Sequence, residues 1–391
     1  MNFDQLLLWH KTHKEQNLYG RYITHHSIAP LLDFWRNNYE ITEIGKSVLG
    51  KSIHSIQIGS GPKKILMWSQ MHGNESTTTK ALFDLFKWLT ASEYKIEAES
   101  LLKSCTLLII PILNPDGAER YTRLNAHDID LNRDAQNQSQ PESIILRTVF
   151  DAFKPDFCLN LHGQRTIFGV GDPAKSATVS FLSPAQDKNR SVTRSRKMGM
   201  AIIAGLNEML QHFIPQGVGR YDDSFNLNCV GDTFQSLNVP TVLFEAGHYP
   251  DDYAREETRA YIFLALVKAL NIITNSNDDL KRGYKGYFEI PENKKCFFDI
   301  ILRQIALPEA GVTDVAIQYE ETLIEGELRF IPKIAEIAVL QEFTGHVEYD
   351  CDSQNPDITD TNIWQKGSKI GQITLNNGFT KTFSQILPKT L

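Results

Sequence analysis

Residues 63–89 read KKILMWSQMHGNESTTTKALFDLFKWL. Ile65–Ser69 is a short apolar run of the kind that a parallel sheet buries on both faces. The chain then turns polar at His72-Gly73-Asn74-Glu75, where Asn74 or Ser76 can cap a following helix. Leu82, Leu85, Phe86 and Leu89 recur at helical spacing on one face. A buried strand, a polar turn and an amphipathic helix form the repeating unit of an α/β protein.

The same order recurs on either side. Residues 1–40 read as helical. Glu40–Gly45 and Ser52–Gly59 alternate as strands, the second ending in a Gly-Ser-Gly-Pro turn. Leu107–Leu113 reads as a second buried strand, closed by the turn Asn114-Pro115-Asp116-Gly117. A helix at Ser143–Phe153 leads to a third buried strand, Phe157–Leu161. A long helix near Val192–Phe213 precedes a fourth, Val239–Phe244. Glu256–Ile273 closes the series as a helix, with Ile262, Leu266, Ala269 and Ile273 on one stripe. The expected fold is α/β, a mixed and mostly parallel central sheet flanked by helices. The pattern changes in the polar, turn-rich segment NSNDDLKRGYKG, residues 275–286. Short β-like runs dominate from Phe288 onward: Phe297–Leu302, Val315–Tyr319, Ile337–Leu340 and Lys369–Leu375. Two domains are therefore expected, residues 1–278 and a small β-rich domain over residues 283–391.

A chain of 391 residues with 41% hydrophobic residues can bury a sizeable core. Its formal charge of −7 argues against a nucleic-acid or anionic-membrane partner. Five cysteines, an odd number with no CxxC pair, argue against a disulfide framework and a thiolate metal cluster. The longest apolar runs, such as Tyr261–Val267, fall far short of the about 20 residues of a membrane span. The first residues lack the basic region and long apolar run of a signal peptide. These features predict a cytoplasmic protein without a membrane partner; they leave the oligomeric state open.

The chemistry gathers at strand ends, where open α/β sheets build their active crevices. His72 and Glu75 follow the first buried strand. His162 ends the third and Glu245 ends the fourth. His72 and Glu75, three apart at a strand-to-helix turn, can chelate one metal ion. The bland alternative is a loop histidine held by a hydrogen bond. His162 is either a core hydrogen-bonder or a third ligand. Two histidines and a glutamate with an open fourth position make a catalytic zinc site. Glu245, after the uncharged run VPTVLF, needs a partner or a function. It is either salt-bridged to Arg255 or Arg259, or a general base. Downstream of the NPDG turn, Arg123 can stabilise an oxyanion. Asn132 and Arg133 can grip a carboxylate.

The ordered set HGNE, NPDG, RLNAHDIDLNRD, NLHG and LFEAG resembles the zinc metallocarboxypeptidases over roughly residues 40–275. The resemblance implies one Zn2+ per chain held by His72, Glu75 and His162. It implies Glu245 as general base and acid, Arg123 as the arginine that polarises the carbonyl, and Asn132 and Arg133 as the clamp for a C-terminal carboxylate. Tyr221 is nearest in sequence to the mobile-loop tyrosine of that family. The implied substrate is a peptide with a free carboxylate, cleaved at its last amide bond. Asp222, Asp223 and Asp232 could favour basic side chains or could simply be solvated. A second family is similar too. The aspartoacylase and succinylglutamate desuccinylase group shares HxxE, DLNR, a strand-end His, a late Glu and a β-rich tail. It implies an N-acyl amino acid as substrate, and WQKGSKIGQITLNNGFTK as a strand pair of that tail.

Overall fold

A computed structural model describes residues 1–359, 364–375 and 380–382. The chain opens with helices α1 (Phe3–His13) and α2 (His25–Trp35). Strands β1 (Glu40–Lys46), β2 (Ser52–Gly59) and β3 (Lys63–Ser69) follow, then α3 (Thr77–Thr90) and α4 (Lys95–Ser104). Next come β4 (Cys105–Ile110), α5 (Pro115–Arg120), α6 (Pro141–Phe153) and β5 (Phe157–Gly163). The short strands β6 (Phe168–Val170) and β7 (Lys175–Ser176) precede β8 (Val179–Leu182), α7 (Arg194–Phe213) and β9 (Val218–Arg220). Then follow α8 (Val230–Ser236), β10 (Thr241–Ala246) and α9 (Glu256–Asn275).

Eight of these strands form one sheet in the order β1-β2-β4-β3-β5-β10-β8-β9. Its centre is parallel: β3 pairs with β4 and β5, and β5 with β10. The β1-β2, β2-β4 and β10-β8 pairings are antiparallel. The expected mixed sheet is thus present, and each predicted buried strand contributes a strand to it.

Alternation along β3 shows how the sheet is covered. Ile65 and Met67 join the apolar cluster that includes Phe83 of α3 and Leu266 of α9. Leu66 and Trp68 join a second cluster with Phe150 of α6 and Phe234 of α8. All four are fully buried, each contributing roughly 1.5–3 kcal/mol by leaving water. The first face also holds charge. Asp84 of α3 accepts hydrogen bonds from Arg259 Nη2 at 2.6 Å and His10 Nε2 at 2.8 Å. Glu256 pairs with Lys80 at 2.6 Å and Lys14 at 2.7 Å. This network ties α1, α3 and α9 together.

Two expectations change. Leu107–Leu113 is a strand only to Ile110, because Pro111 cannot donate to the ladder. Asn114–Gly117 is no simple turn. Asn114 Oδ1 accepts from Gly117 N at 2.8 Å, and Pro115 occupies the first helical position, so the segment starts α5. Asn at the cap and Pro just inside it are helix-start residues as much as turn residues.

The molecule divides into two compact units, Met1–Gln164 with Ala177–Asn293, and Arg165–Ser176 with Lys294–Leu391. The division falls later than the polar segment 275–286. A 3-10 segment, Asp278–Glu289, places Tyr287 fully buried in the core of the first unit. The second unit is β-rich. It holds β11 (Lys294–Lys295), β12 (Phe297–Leu307), β13 (Gly311–Ile324), β14 (Glu327–Ala338) and β15 (Thr344–Asp350). It ends in β16 (Pro356–Thr359), β17 (Gln372–Leu375) and β18 (Thr380–Thr382). A sheet ordered β14-β13-β12-β15 packs over Ile300, Leu302, Val315 and Ile317. β17 and β18 pair antiparallel within the stretch expected to form a strand pair; residues 376–379 between them lie outside the described residues. No described helix is long and apolar enough to cross a membrane. The five cysteines are unpaired thiols.

Candidate metal centre

His72 and Glu75 sit in the turn between β3 and α3, where Glu75 N donates to His72 O at 3.1 Å. Three features fix this turn. Gln70 adopts a positive φ of 45°. Its side chain Nε2 donates to Gly73 O at 2.8 Å, while its Oε1 accepts from Thr79 at 2.8 Å. Asn114, besides capping α5, donates from Nδ2 to Met71 O at 3.2 Å. Gly73 lies against the backbone of α5 so closely that a Cβ there would stand 1.9 Å from Gly117 C. Only a glycine allows that approach.

β5 and β10 deliver the remaining groups in register, with Glu245 opposite His162. His162 is therefore the penultimate residue of β5 rather than a residue beyond it. Glu245 occupies the same place in β10. Leu159, Leu161, Val242 and Phe244 join the α3/α9 cluster, whereas Cys158 joins the α8 cluster. Strand alternation then puts His162 and Glu245 on the α8 side of the sheet.

The candidate donor atoms converge. His72 Nδ1 lies 2.8 Å from Glu75 Oε1, and His162 Nδ1 lies 2.8 Å from Glu75 Oε2. The two Nδ1 atoms are 3.1 Å apart. Two nitrogens each about 2.0–2.1 Å from a tetrahedral zinc are separated by about 3.3 Å. All three side chains offer an atom within 4.8 Å of the others. Two imidazoles and a carboxylate are zinc donors, and the arrangement fits the ion. Glu75 also accepts from Gly163 N at 3.1 Å.

Behind these candidate ligands stands Asp130, which the sequence reading did not single out. Its Oδ1 lies 3.1 Å from His72 Nε2 and accepts from Asn132 N at 2.9 Å. Its Oδ2 accepts from Arg123 Nε at 3.0 Å. A carboxylate on the far ring nitrogen fixes the tautomer and orientation of a ligating histidine. The available signal was an acid two residues ahead of Asn132 in DLNR, but no spacing rule connects it to His72. Arg123 Nη1 also lies 3.5 Å from Glu75 Oε1, so its guanidinium faces the centre.

The electrostatics follow burial and partners. Burial raises the Glu75 carboxyl, but His72 and His162 outweigh it and hold it well below the usual range. Burial lowers His162. Burial also pushes His72 down, but Glu75 and Asp130 more than reverse this and raise it. Glu245 is raised well above the ordinary glutamate value, first by burial and then by the negative Glu75. Its Oε2 is buried with no hydrogen-bond partner among the described residues. Of the two arginines weighed as its salt-bridge partners, Arg255 acts on it through its charge, which opposes the rise. Arg259 binds Asp84 and Glu256, and Arg255 donates to the carbonyls of Ala246 and Gln164.

Asn132 and Arg133 follow Asp130 in a short 3-10 turn, Leu131–Arg133. Asn132 Oδ1 accepts from Val230 N at 3.0 Å. The exposed Arg133 donates from Nη1 to Asn132 O at 2.7 Å and to Cys229 Sγ at 3.0 Å. Tyr221 feels the charges of Glu245, Glu75 and Arg123 and hydrogen-bonds Asn293; burial pushes its hydroxyl strongly upward. Of the three candidate pocket acids, Asp223 pairs with Arg190 at 3.1 Å and with Arg196. Asp222 is exposed and accepts from Ser224. Asp232 is 7% exposed, and burial pushes its carboxyl up to about 6.

Comparison with known proteins points the same way. The family described as zinc carboxypeptidase matches residues 36–143, a stretch that contains His72, Glu75, Arg123, Asn132 and Arg133. Of the two families suggested by the motifs, this is the carboxypeptidase one. Carboxypeptidase SOL1 of Arabidopsis thaliana is 35% identical over 106 residues, 25% of this chain and 21% of that protein. Carboxypeptidase D of Mus musculus is 32% identical over 164 residues, 35% of this chain and 12% of that protein. The matched stretches thus span about a fifth or less of those relatives. A metallo-carboxypeptidase from Pseudomonas aeruginosa shares the fold with a TM-score of 0.51 at 16% identity, over 64% of this chain and 69% of that one. One from Burkholderia cenocepacia gives 0.50 at 17% identity, over 64% and 70%. In its ordered motifs, its matching family and the fold of its central sheet, the chain resembles the zinc carboxypeptidases.

Proposed function

We propose that this chain is a zinc-dependent hydrolase that removes C-terminal amino acids from peptides. The observation that carries the reading is the convergence of His72, Glu75 and His162 beside a buried Glu245 oxygen that has no partner among the described residues. His72, Glu75 and His162 would hold one zinc ion per chain. Bound there, zinc would polarise the scissile carbonyl and acidify the attacking water.

The chain's own residues do the rest. Glu245 carries a buried carboxylate oxygen that no described group satisfies, which suits it to take a proton from water and return it to the leaving amine. Arg123, directed at the centre by Asp130, offsets the charge that develops on the carbonyl oxygen. Arg133 has an exposed guanidinium held at its inner edge by Cys229, and it grips the free carboxylate of the substrate together with Asn132. This places the last amide bond at the centre. The Tyr221 hydroxyl stays protonated and donates a hydrogen bond to the bound peptide. Five unpaired thiols suit a reducing compartment, which favours the cytoplasm.

Glu245→Gln tests the role of the base. The variant keeps its zinc and loses at least about 10²-fold in kcat, the low end for a general base. Full activity in that variant would refute the assignment.

A further inference from the structure

Three side chains close a ring of hydrogen bonds next to the strands that carry His162 and Glu245. Gln164 directly follows β5, and Ser180 lies on β8 opposite Glu245. Gln164 Nε2 donates to Ser180 Oγ at 3.1 Å, and Ser180 Oγ donates to Asn293 Oδ1 at 3.0 Å. Asn293 Nδ2 donates back to Gln164 Oε1 at 3.0 Å. Gln164 and Ser180 are buried, so the ring supplies the partners that buried polar groups require.

The direction of the ring is fixed. Gln164 Nε2 also donates to Ala177 O at 2.7 Å, a backbone acceptor that cannot reverse. A flipped Gln164 would set its oxygen against that carbonyl. With Gln164 held, a flipped Asn293 would set oxygen against Gln164 Oε1. Gly247 closes over the pair, since a Cβ there would run into Ala177 O and Gln164 Nε2. Asn293 therefore has one orientation, and the ring leaves it one amide proton. Tyr221 hydrogen-bonds Asn293. Burial pushes the Tyr221 hydroxyl strongly upward, and the bond to Asn293 acts the opposite way, as a donor facing the phenol oxygen does. The phenol oxygen thus accepts, and its own proton is not spent on Asn293. The backbone is held too. Tyr221 N donates to Phe181 O at 3.0 Å, Arg220 N to Pro291 O at 2.8 Å and Asn293 N to Arg220 O at 2.9 Å. The charges of Glu245, Glu75 and Arg123 all act on Tyr221.

We propose that Gln164, Ser180 and Asn293 are positioning residues that hold the Tyr221 hydroxyl beside the candidate metal centre before substrate arrives, so that Tyr221 acts from a fixed place rather than from a mobile loop. The inference rests on the carboxypeptidase reading above and on the part it gives to Tyr221. Accepting from Asn293 turns the Tyr221 proton outward, where it can be donated. A tyrosine ordered only on binding would lose up to about tenfold in affinity to the lost freedom of its side chain. The ring settles that cost when the chain folds.

The test is a double-mutant cycle on the zinc-loaded full chain with a peptide substrate. Tyr221→Phe removes the hydroxyl, and Asn293→Ala removes the groups that hold it. Each alone should raise KM about two- to tenfold, the size of one hydrogen bond, with zinc affinity unchanged. Added to Tyr221→Phe, Asn293→Ala should cost nothing further. Losses that multiply would show that Asn293 acts on the fold and not through Tyr221, and would overturn the proposal, as would an unchanged KM in Tyr221→Phe. Should Asn293→Ala fail to fold, Ser180→Ala opens the ring at another point and obeys the same rule, a loss in the parent and none in Tyr221→Phe. Crystals of the zinc-loaded chain grown without peptide give a readout independent of activity. The Tyr221 hydroxyl should lie within hydrogen-bond distance of Asn293, and a tyrosine turned away would overturn the proposal. No release from any peptide would instead overturn the carboxypeptidase reading, while the crystals still decide whether the ring fixes Tyr221.

Discussion

Gly73→Ala perturbs the turn that carries His72 and Glu75 without touching either side chain. The added Cβ would stand 1.9 Å from Gly117 C, 2.1 Å from Ala118 N and 2.4 Å from Gly117 O. Ordinary contact begins at 3.4 Å, so the turn and α5 must separate by about 1.5 Å. All three atoms are backbone, and no side chain can rotate away. Overpacking of this kind costs typically about 1–3 kcal/mol; unyielding backbone puts this site at the upper end. Two things resist the separation: Asn114, which holds both α5 and Met71 O, and Gln70, which holds Gly73 O. If His72 and Glu75 move with the turn, their convergence with His162 is lost. The metal-free protein relieves part of the clash by shifting the turn; the part that returns on zinc binding, at most about 3 kcal/mol, raises the zinc Kd by up to about 10²-fold. Zinc affinity is measured by competition with a chromophoric chelator, and metal-free stability by thermal unfolding. The expectation is a weaker zinc Kd together with a lower Tm for the metal-free protein. Zinc affinity within about twofold of the parent and an unchanged Tm would refute the claim that the backbone of α5 fixes the metal turn.

Other outcomes follow from the same geometry. Asp130→Asn weakens the hold on His72 and should raise the zinc Kd by about 10–100-fold; an unchanged Kd would show that Asp130 does not orient the ligand. Arg133→Ala should raise KM for peptides with a free carboxylate and leave amidated ones unaffected, whereas equal effects on both would remove the clamp. Acid lability comes from Glu256. Burial raises its carboxyl, but Lys80 and Arg259 outweigh this and hold it down to about 2. Because the folded value is depressed, its contribution is present above the unfolded value of about 4.3 and is lost as pH falls toward 2. That contribution is about 3 kcal/mol at most. Denaturant unfolding of Glu256→Gln should show lower stability at pH 7 and a flatter fall between pH 5 and 2; an equally steep fall would assign the lability elsewhere.

The centre of the sheet was legible because each buried strand is a short apolar run bounded by turn residues. Ile65–Ser69 and Phe157–Leu161 could be nothing else at that length. The convergence of His162 and Glu245 was legible for the same reason, since both lie near the ends of neighbouring strands; His72 and Glu75 were legible as an HxxE in the turn after β3. What escaped were relations that no local pattern encodes. Asn114-Pro115-Asp116-Gly117 satisfies both turn and helix-start chemistry, and only the docking of Met71 O on Asn114 selects the helix. Asp130 reaches His72 across 58 residues of chain. Lys80 and Asp84 lie on the buried side of α3, where an apolar stripe predicts neither; Arg259 and Glu256 on α9 make them stable there. The polar stretch 275–286 resembles a linker until Tyr287, just beyond it, is seen buried in the first unit.

The most direct test of the account is to incubate a peptide with the full chain and identify the products by mass spectrometry. The zinc-loaded protein, the chelated protein and zinc-loaded Glu245→Gln are compared, and metal content is measured on each. The account predicts one zinc per chain in both loaded proteins and loss of single amino acids from the carboxyl end with the zinc-loaded parent alone. Zinc bound at His72, Glu75 and His162 with no release of a terminal residue from any peptide would contradict it, as would cleavage that persists after the metal is removed.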